Sequence, residues 1–193
     1  AGRRRERLAW ALAVTLLIAV IVSTVIYLRL VRTQVHAIIS EIPPPEKTQF
    51  NFPAGLPVLS PDGHTLAFSA TDENGKTMLW ARPLDSTSAR LLPGTEGGAV
   101  QFWSANGRAL SCCADSKLKT VEASGGSAVV VADAPDGTVG SWNRDGTILF
   151  VPNVGKGLYH VTKSGGTPVP SLDLDAPKHS VVWPTFLPDG KHF

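Results

Sequence analysis

Two hydrophobic patterns divide the chain, a continuous apolar run near its start and short alternating runs over the remainder. Residues 8–28, LAWALAVTLLIAVIVSTVIYL, contain no charged side chain in 21 positions. That length matches the roughly 20 residues that a helix needs to cross the ~30 Å hydrocarbon core of a bilayer. Trp10 and Tyr27 lie near the two ends of the run, where amphipathic rings favour the membrane interface. The pattern predicts one membrane-spanning helix over residues 8–28.

A cleaved signal peptide and a buried soluble helix are the competing interpretations of this run. Signal peptides carry apolar cores of about 7–15 residues, and no small-x-small cleavage site precedes Arg29. Four arginines precede the run, against Arg29 and Arg32 after it, and this bias favours a cytoplasmic N-terminus. We therefore expect residues 1–7 in the cytoplasm, a single uncleaved span in the inner cell membrane, and the rest of the chain outside the cytoplasm.

The residues after the span predict a linker. PPP at 43–45 cannot continue a helix and favours a stiff, extended backbone, so we interpret residues 29–48 as a stalk. The sequence begins at Ala1 and its only methionine is Met78, from which we expect that the translation start lies upstream.

Beyond the stalk, alternating apolar positions and tight-turn residues recur as a repeat. In LSPDGHTLAFS, residues 59–69, Ser-Pro-Asp-Gly has turn chemistry and the residues after it alternate as in a half-buried strand. Four dipeptides carry the turn, with glycines 44, 39 and 44 residues apart: Asp62-Gly63, Asn106-Gly107, Asp145-Gly146 and Asp189-Gly190. A large apolar residue stands four places before each glycine: Leu59, Trp103, Trp142 and Phe186. Another stands three places after it: Leu66, Leu110, Leu149 and Phe193. Each repeat therefore predicts a hairpin with one apolar face.

The second half of each repeat predicts two further strands. MLWARPLD (78–85), KLKTVEAS (117–124) and GLYHVTKS (157–164) alternate, and ARLLPG, AVVVAD and TPVPSL follow them as candidate fourth strands. Four short strands in about 40–45 residues are typical of a β-propeller blade. We therefore expect an all-β fold over residues 49–193, preceded by one transmembrane α-helix. It would be a partial β-propeller of about three four-stranded blades plus the start of a fourth. TQFNF (48–52) is interpreted as the strand that would complete the last blade and close the ring.

These phrases resemble the WD40-like (PD40) repeat of TolB-type propellers. The motifs that carry the resemblance are LSPDGHTLAFS, LPDGKHF and the degenerate WSANGRALS and WNRDGTILF, in which Ala105 and Arg144 replace the turn proline. A more specific resemblance is carried by two longer runs, DENGKTMLWARPLDSTSARLLPGTEG and LYHVTKSGGTPVP. They are similar to the propeller that follows the transmembrane helix in bacterial receptor-like serine/threonine kinases, a layout seen in Acidobacteria. The resemblance covers residues 49–193.

The resemblance implies a membrane-anchored, non-catalytic sensor or protein-interaction module whose partner is an unidentified protein or small ligand. Kinase activity would belong to a domain before Ala1. Two alternatives from other classes stay open: the propeller of a type II membrane peptidase of the prolyl-oligopeptidase kind, and that of a membrane-bound winged-helix transcriptional regulator. A G-x-S-x-G serine downstream, or a basic DNA-reading domain upstream, would distinguish them.

The charge distribution argues against nucleic-acid binding, and the motif content gives no support for a catalytic role of these 193 residues. Residues 1–32 carry a formal charge of +5, whereas residues 33–193 hold 12 basic and 15 acidic side chains. This mildly acidic part has no basic run to track phosphates, so we expect no nucleic-acid binding. The sequence contains no G-x-G-x-x-G, H-R-D, D-F-G, G-x-S-x-G or P-loop motif. We assign no catalytic residue, cofactor or metal, and the site residues that we assign are the eight turn residues of the four dipeptides.

Other residues that could carry chemistry have simpler structural interpretations. Adjacent thiols at Cys112 and Cys113 would point to opposite faces of a strand, as packing residues or, alternatively, as a vicinal disulfide. Carboxylates in DAPDG (133–137) and DLD (173–175) fit turns better than calcium loops. Five histidines lack the spacing of a zinc site: His36, His64, His160, His179 and His192. Four tryptophans are read as core residues rather than a ligand-stacking set: Trp80, Trp103, Trp142 and Trp183.

Overall fold

The chain forms two compact units, Ala1–Ile42 and Pro43–Phe193. The computed structural model describes residues 2–31, 41–137, 139–153, 157–172 and 183–193. Residues 32–40 of the predicted stalk, together with His36, His179 and the DLD carboxylates, lie outside the described residues. Residues 43–48, which the sequence assigned to the stalk, belong to the second unit.

The first unit contains one long apolar helix, α1 (Gly2–Val31). Its segment Trp10–Leu28 is long and apolar enough to span a membrane. The two threonine hydroxyls inside that segment are satisfied within the helix, since Thr15 Oγ1 donates to the Ala11 carbonyl and Thr24 Oγ1 to the Val20 carbonyl, both at 2.8 Å. Satisfied polar groups are what a helix in hydrocarbon requires. The predicted helix is therefore present, and its composition suits a bilayer.

The second unit is built from antiparallel sheets that follow one another along the chain. The first sheet contains β1 (Thr48–Phe50), β2 (Val58–Leu59), β3 (Thr65–Asp72), β4 (Thr77–Pro83) and β5 (Arg90–Leu91). The second contains β6 (Ala99–Trp103), β7 (Ala109–Ala114), β8 (Lys117–Glu122) and β9 (Val129–Asp133). The third contains β10 (Ser141–Trp142), β11 (Thr147–Phe150), β12 (Leu158–Thr162) and β13 (Val169–Leu172). The strands predicted for the first three repeats are confirmed, whereas the described residues 183–193 of the fourth repeat contain a turn but no strand. Consecutive strands pair in order in the second and third sheets, and in the first sheet both β1 and β2 pair with β3.

The interpretation of TQFNF as a ring-closing strand is wrong. β1 pairs with β3, with Thr48 opposite Asp72 and Phe50 opposite Ala70, and β2 pairs with the other end of the same β3 edge. The Phe50 ring packs edge-on against Phe68, with ring centroids 5.0 Å apart. This cross-strand aromatic contact holds the segment on the first sheet.

Residues 43–52, which we call the strap, contact the first sheet on the face that points away from the second sheet, where Phe50 packs against Phe68. Arg82, only 9% exposed, donates from Nε to the Ser86 carbonyl at 3.0 Å and from Nη1 to the Pro43 carbonyl at 3.3 Å. The positions that match Arg82 in the next two sheets, judged by strand pairing, are Val121 and Val161. Arginine suits the first sheet because the surface opposite it offers carbonyl oxygens rather than another apolar sheet.

Apolar side chains join the consecutive sheets. The cluster between the first and second sheets contains Ala67, Leu79, Ala81, Leu92, Trp103, Leu110, Cys112, Ala114 and Val121. The cluster between the second and third contains Phe102, Ala109, Cys113, Leu118, Val131, Ala132, Ala134, Trp142, Ile148, Phe150 and Val161. The two cysteines thus face opposite sides of β7, as predicted, and the core positions of Trp103 and Trp142 are confirmed.

The third hairpin departs from the spacing that the sequence suggested. Leu59 pairs with Leu66 and Trp103 with Leu110, but Trp142 pairs with Ile148 rather than Leu149. The turn is one residue shorter, which sends the predicted Leu149 and Val151 to the other face of the sheet, where they pack with Leu158 and Phe186.

Candidate functional site

The assigned turn residues adopt one recurring conformation. The four glycines have positive φ, where a side chain would be strained: Gly63 at 76°, Gly107 at 68°, Gly146 at 88° and Gly190 at 68°. Each glycine N–H donates to the carbonyl three residues earlier, with distances of 2.8–3.3 Å. In the first, second and fourth turns the Asp or Asn before the glycine accepts a backbone N–H from the residue after it. The third turn does not use Asp145 in this way.

A buried polar residue three places before the glycine, missed by the sequence reasoning, holds the first three turns. The Ser60 hydroxyl donates to Asp62 Oδ1 at 2.6 Å and accepts the Thr65 N–H at 2.9 Å. Ser104 makes the same two bonds with Asn106 and Ala109. The sequence signature of this serine is Ser-x-[Asp/Asn]-Gly, which occurs in both repeats. It is not visible in the pattern of apolar positions.

Asn143 takes over this role in the third turn and explains its shorter length. Asn143 Oδ1 accepts both the Asp145 N–H and the Thr147 N–H at 2.9 Å, so one amide replaces the serine–aspartate pair. Asn143 Nδ2 also donates to the Gly190 carbonyl at 3.1 Å, which ties the third turn to the fourth. The turns of neighbouring repeats therefore adjoin along one edge of the second unit.

Next to these turns, a cleft of about 860 Å³ separates the second and third sheets. We call it the cationic cleft, because Arg108, Arg144 and Lys163 line it, against the single carboxylate of Glu122. Trp142 and the exposed side chain of Val129 supply apolar surface to the same cleft. Lys163 lies beside the third turn, since its backbone N–H donates to the Gly146 carbonyl at 2.8 Å.

A similar cleft of about 830 Å³ lies between the first and second sheets. Its lining includes Arg90, Arg108 and Glu122, but the Arg90 guanidinium donates to the Ser124 carbonyl across the cleft. In this cleft one cation is thus occupied by the protein itself, which distinguishes it from the cationic cleft.

The carboxylates of two turns are kept ionised by local donors. The pKa of Asp62 is lowered chiefly by the Ser60 hydroxyl and then by the His64 N–H. The pKa of Asp189 falls to about 2, first because the His192 side chain bonds to it and then because the backbone N–H groups of Lys191 and His192 donate to it. These carboxylates serve the turns.

The other candidate residues are not brought together by the structure. His64 and His192 lie in different turns, and His160 Nδ1 contacts the Ser171 hydroxyl at 2.7 Å on the third sheet. The core interpretation is wrong for Trp183, which is 67% exposed, whereas Trp103 and Trp142 are buried. Within the described ranges, no three His, Cys, Asp or Glu side chains are grouped as metal ligands would be.

Burial controls the two thiols. The pKa of Cys112 rises to about 12, mainly through desolvation and then through the neighbouring Cys113 thiol, and burial raises the pKa of Cys113 to about 11. Neither cysteine is in a disulfide. Protonated, buried thiols are poor nucleophiles, which favours the packing interpretation.

Searches of protein-family models and of curated proteins find no match to this chain.

Proposed function

We propose that the chain is the membrane-anchored sensor part of a receptor-like serine/threonine kinase, with the sheets forming part of a β-propeller outside the cytoplasm. The observation that carries the proposal is the arrangement of the repeats behind an apolar helix. β2 contacts β6 and β6 contacts β10, so successive sheets adjoin through their first strands. Trp103 Nε1 donates to the Val58 carbonyl at 3.0 Å and joins the first two of these strands.

A propeller suits a sensor because its blades form a rigid scaffold and its loops and clefts are free to vary. Inner strands that adjoin while the sheets fan outward are the geometry of propeller blades. The kinase assignment rests on the resemblance of residues 49–193 to the propellers of such receptors, and fold alone does not give a ligand. The described sheets supply the binding module of this proposal, and α1 supplies the anchor.

Sequencing the gene through both ends of this segment tests the assignment. A Gly-rich loop, H-R-D and D-F-G upstream of Ala1 are expected. A winged-helix domain upstream, or a G-x-S-x-G serine downstream, would replace the kinase assignment with the regulator or the peptidase. Orientation is tested separately with a reporter that is active only outside the cytoplasm, fused after residue 40. We expect activity, and a silent reporter would overturn the orientation.

A further inference from the structure

We propose that the cationic cleft binds a small organic anion bearing two or more carboxylate or phosphate groups. The first argument is that its cations are unpaired among the described residues. Within the part of the chain that the structure describes, Arg108, Arg144 and Lys163 form no ion pair and no side-chain hydrogen bond. Cations elsewhere on the sheets are engaged, as Lys117 is with Asp133 and Lys119 with Asp115.

The second argument is the contrast between the cleft and the rest of the unit. Residues 33–193 are mildly acidic, with 12 basic and 15 acidic side chains, yet three cations and one carboxylate line this cleft. A concave surface lined by one sign of charge focuses the field and raises the local concentration of the opposite ion. Guanidinium groups bind carboxylates and phosphates through paired N–H donors, which matches this ligand class.

The third argument is that two of these cations, Arg144 and Lys163, are held in position by the third turn. Arg144 occupies the turn position that holds Pro61, Ala105 and Pro188 in the other repeats. A Cβ atom added to Gly146 would lie 3.2 Å from Lys163 Cδ, so the aliphatic stem of Lys163 packs against the turn, and Lys163 is one of the residues that line the cleft. The apolar surface of Trp142 and Val129 would contact the carbon skeleton of an organic anion.

Isothermal titration of the full chain in neutral detergent tests the inference, with citrate and inorganic phosphate as probes and glucose as the uncharged reference. Citrate is expected to bind in the millimolar range or tighter, more tightly than phosphate, and glucose not at all. R144Q and R108Q should each weaken citrate about fivefold, because each removes one exposed charge-assisted contact. Both side chains are exposed, and K163Q provides a third variant if either of them fails to fold.

K191Q is the matched control, because it removes the same charge from the fourth turn, outside the cleft. Citrate affinity within about twofold of the wild type is expected for K191Q. An equal loss in K191Q and R144Q would show that overall charge attracts the anion, and would overturn the site. Absence of citrate binding by the wild-type chain would overturn it directly. The inference rests on the proposed function only in assigning the ligand to a sensor. Binding is measured without reference to orientation or a kinase, so the two fail in different experiments.

Discussion

Replacing Arg82 by methionine should release the strap while leaving the sheets folded. Arg82 holds the strap through the Pro43 carbonyl and the adjoining loop through the Ser86 carbonyl. Methionine retains an unbranched apolar stem of similar length, so the packing of that stem is preserved and both hydrogen bonds are lost. The change therefore separates the contribution of the two Arg82 hydrogen bonds, which we call the polar clasp, from that of the apolar contact between Phe50 and Phe68.

The expected magnitude follows from the two bonds and their surroundings. A hydrogen bond from a charged donor contributes about 1.5–3 kcal/mol, but water can reach the exposed Pro43 once the strap opens. Methionine also avoids the cost of burying a cation. A net loss of about 2 kcal/mol in the free energy of strap opening remains, which corresponds to a roughly 30-fold rise in the opening equilibrium.

Hydrogen exchange measured by mass spectrometry on the full chain reads this opening directly. The reporting amides are Thr48, which donates to the Pro45 carbonyl, and Asn51, which donates to the Ser69 carbonyl. Both should exchange about 30-fold faster in R82M, while amides of β8 keep their wild-type rates. R90M is the matched control, because Arg90 bonds to the Ser124 carbonyl and does not touch the strap. Unchanged exchange in the strap of R82M would refute the clasp, as would an equal acceleration in R90M.

Three further predictions concern the turns and the thiols. N143A should lower the free energy of unfolding in urea by about 2–3 kcal/mol, since three hydrogen bonds are lost, and N143S should recover part of it; equal stability of N143A and wild type would contradict the role of Asn143. The Asp189 carboxylate should titrate near pH 2 by NMR rather than at 3.8. Because its folded pKa is depressed, its contribution to turn stability is complete above about pH 4 and is lost as the pH falls towards 2. A titration midpoint near 3.8 would contradict the contact between Asp189 and the His192 side chain. Cys112 and Cys113 should resist a thiol reagent at pH 8 until denaturant is added, and rapid labelling of the native chain would contradict their burial.

Much of the fold could be predicted because local chemistry and pattern agreed. Asp-Gly and Asn-Gly turns between runs of period two define hairpins without reference to distant residues. The alternation also placed Cys112 and Cys113 on opposite faces of one strand, as the two clusters show. Features that depend on contacts between repeats were less accessible. The cationic cleft joins Arg108, Arg144 and Lys163 from three separate segments, and the total charge of the unit gave no indication of it.

The sequence predicts the wrong partner for the strap, because the alternation of TQFNF fits an edge strand of either the first or the last blade. TQFNF alternates as an edge strand does, and alternation does not say which sheet the strand joins. The informative residue was Arg82, which occupies the place of Val121 and Val161 in a face that is otherwise apolar. A cation in a buried position requires acceptors nearby, and these are the carbonyls of residues 43 and 86.

The register of the third repeat shows where alternation stops being informative. ILFV at 148–151 is apolar at every position, and all four side chains are buried because the sheet is covered on both faces. A slip of one residue exchanges Leu149 for Ile148 at no cost in buried apolar surface, so hydrophobicity cannot select the register there. The selection falls to Asn143, whose amide oxygen closes the shorter turn on the Thr147 N–H. In the first two repeats the serine hydroxyl closes a turn one residue longer, so a polar residue outside the apolar pattern decides which faces the strand presents.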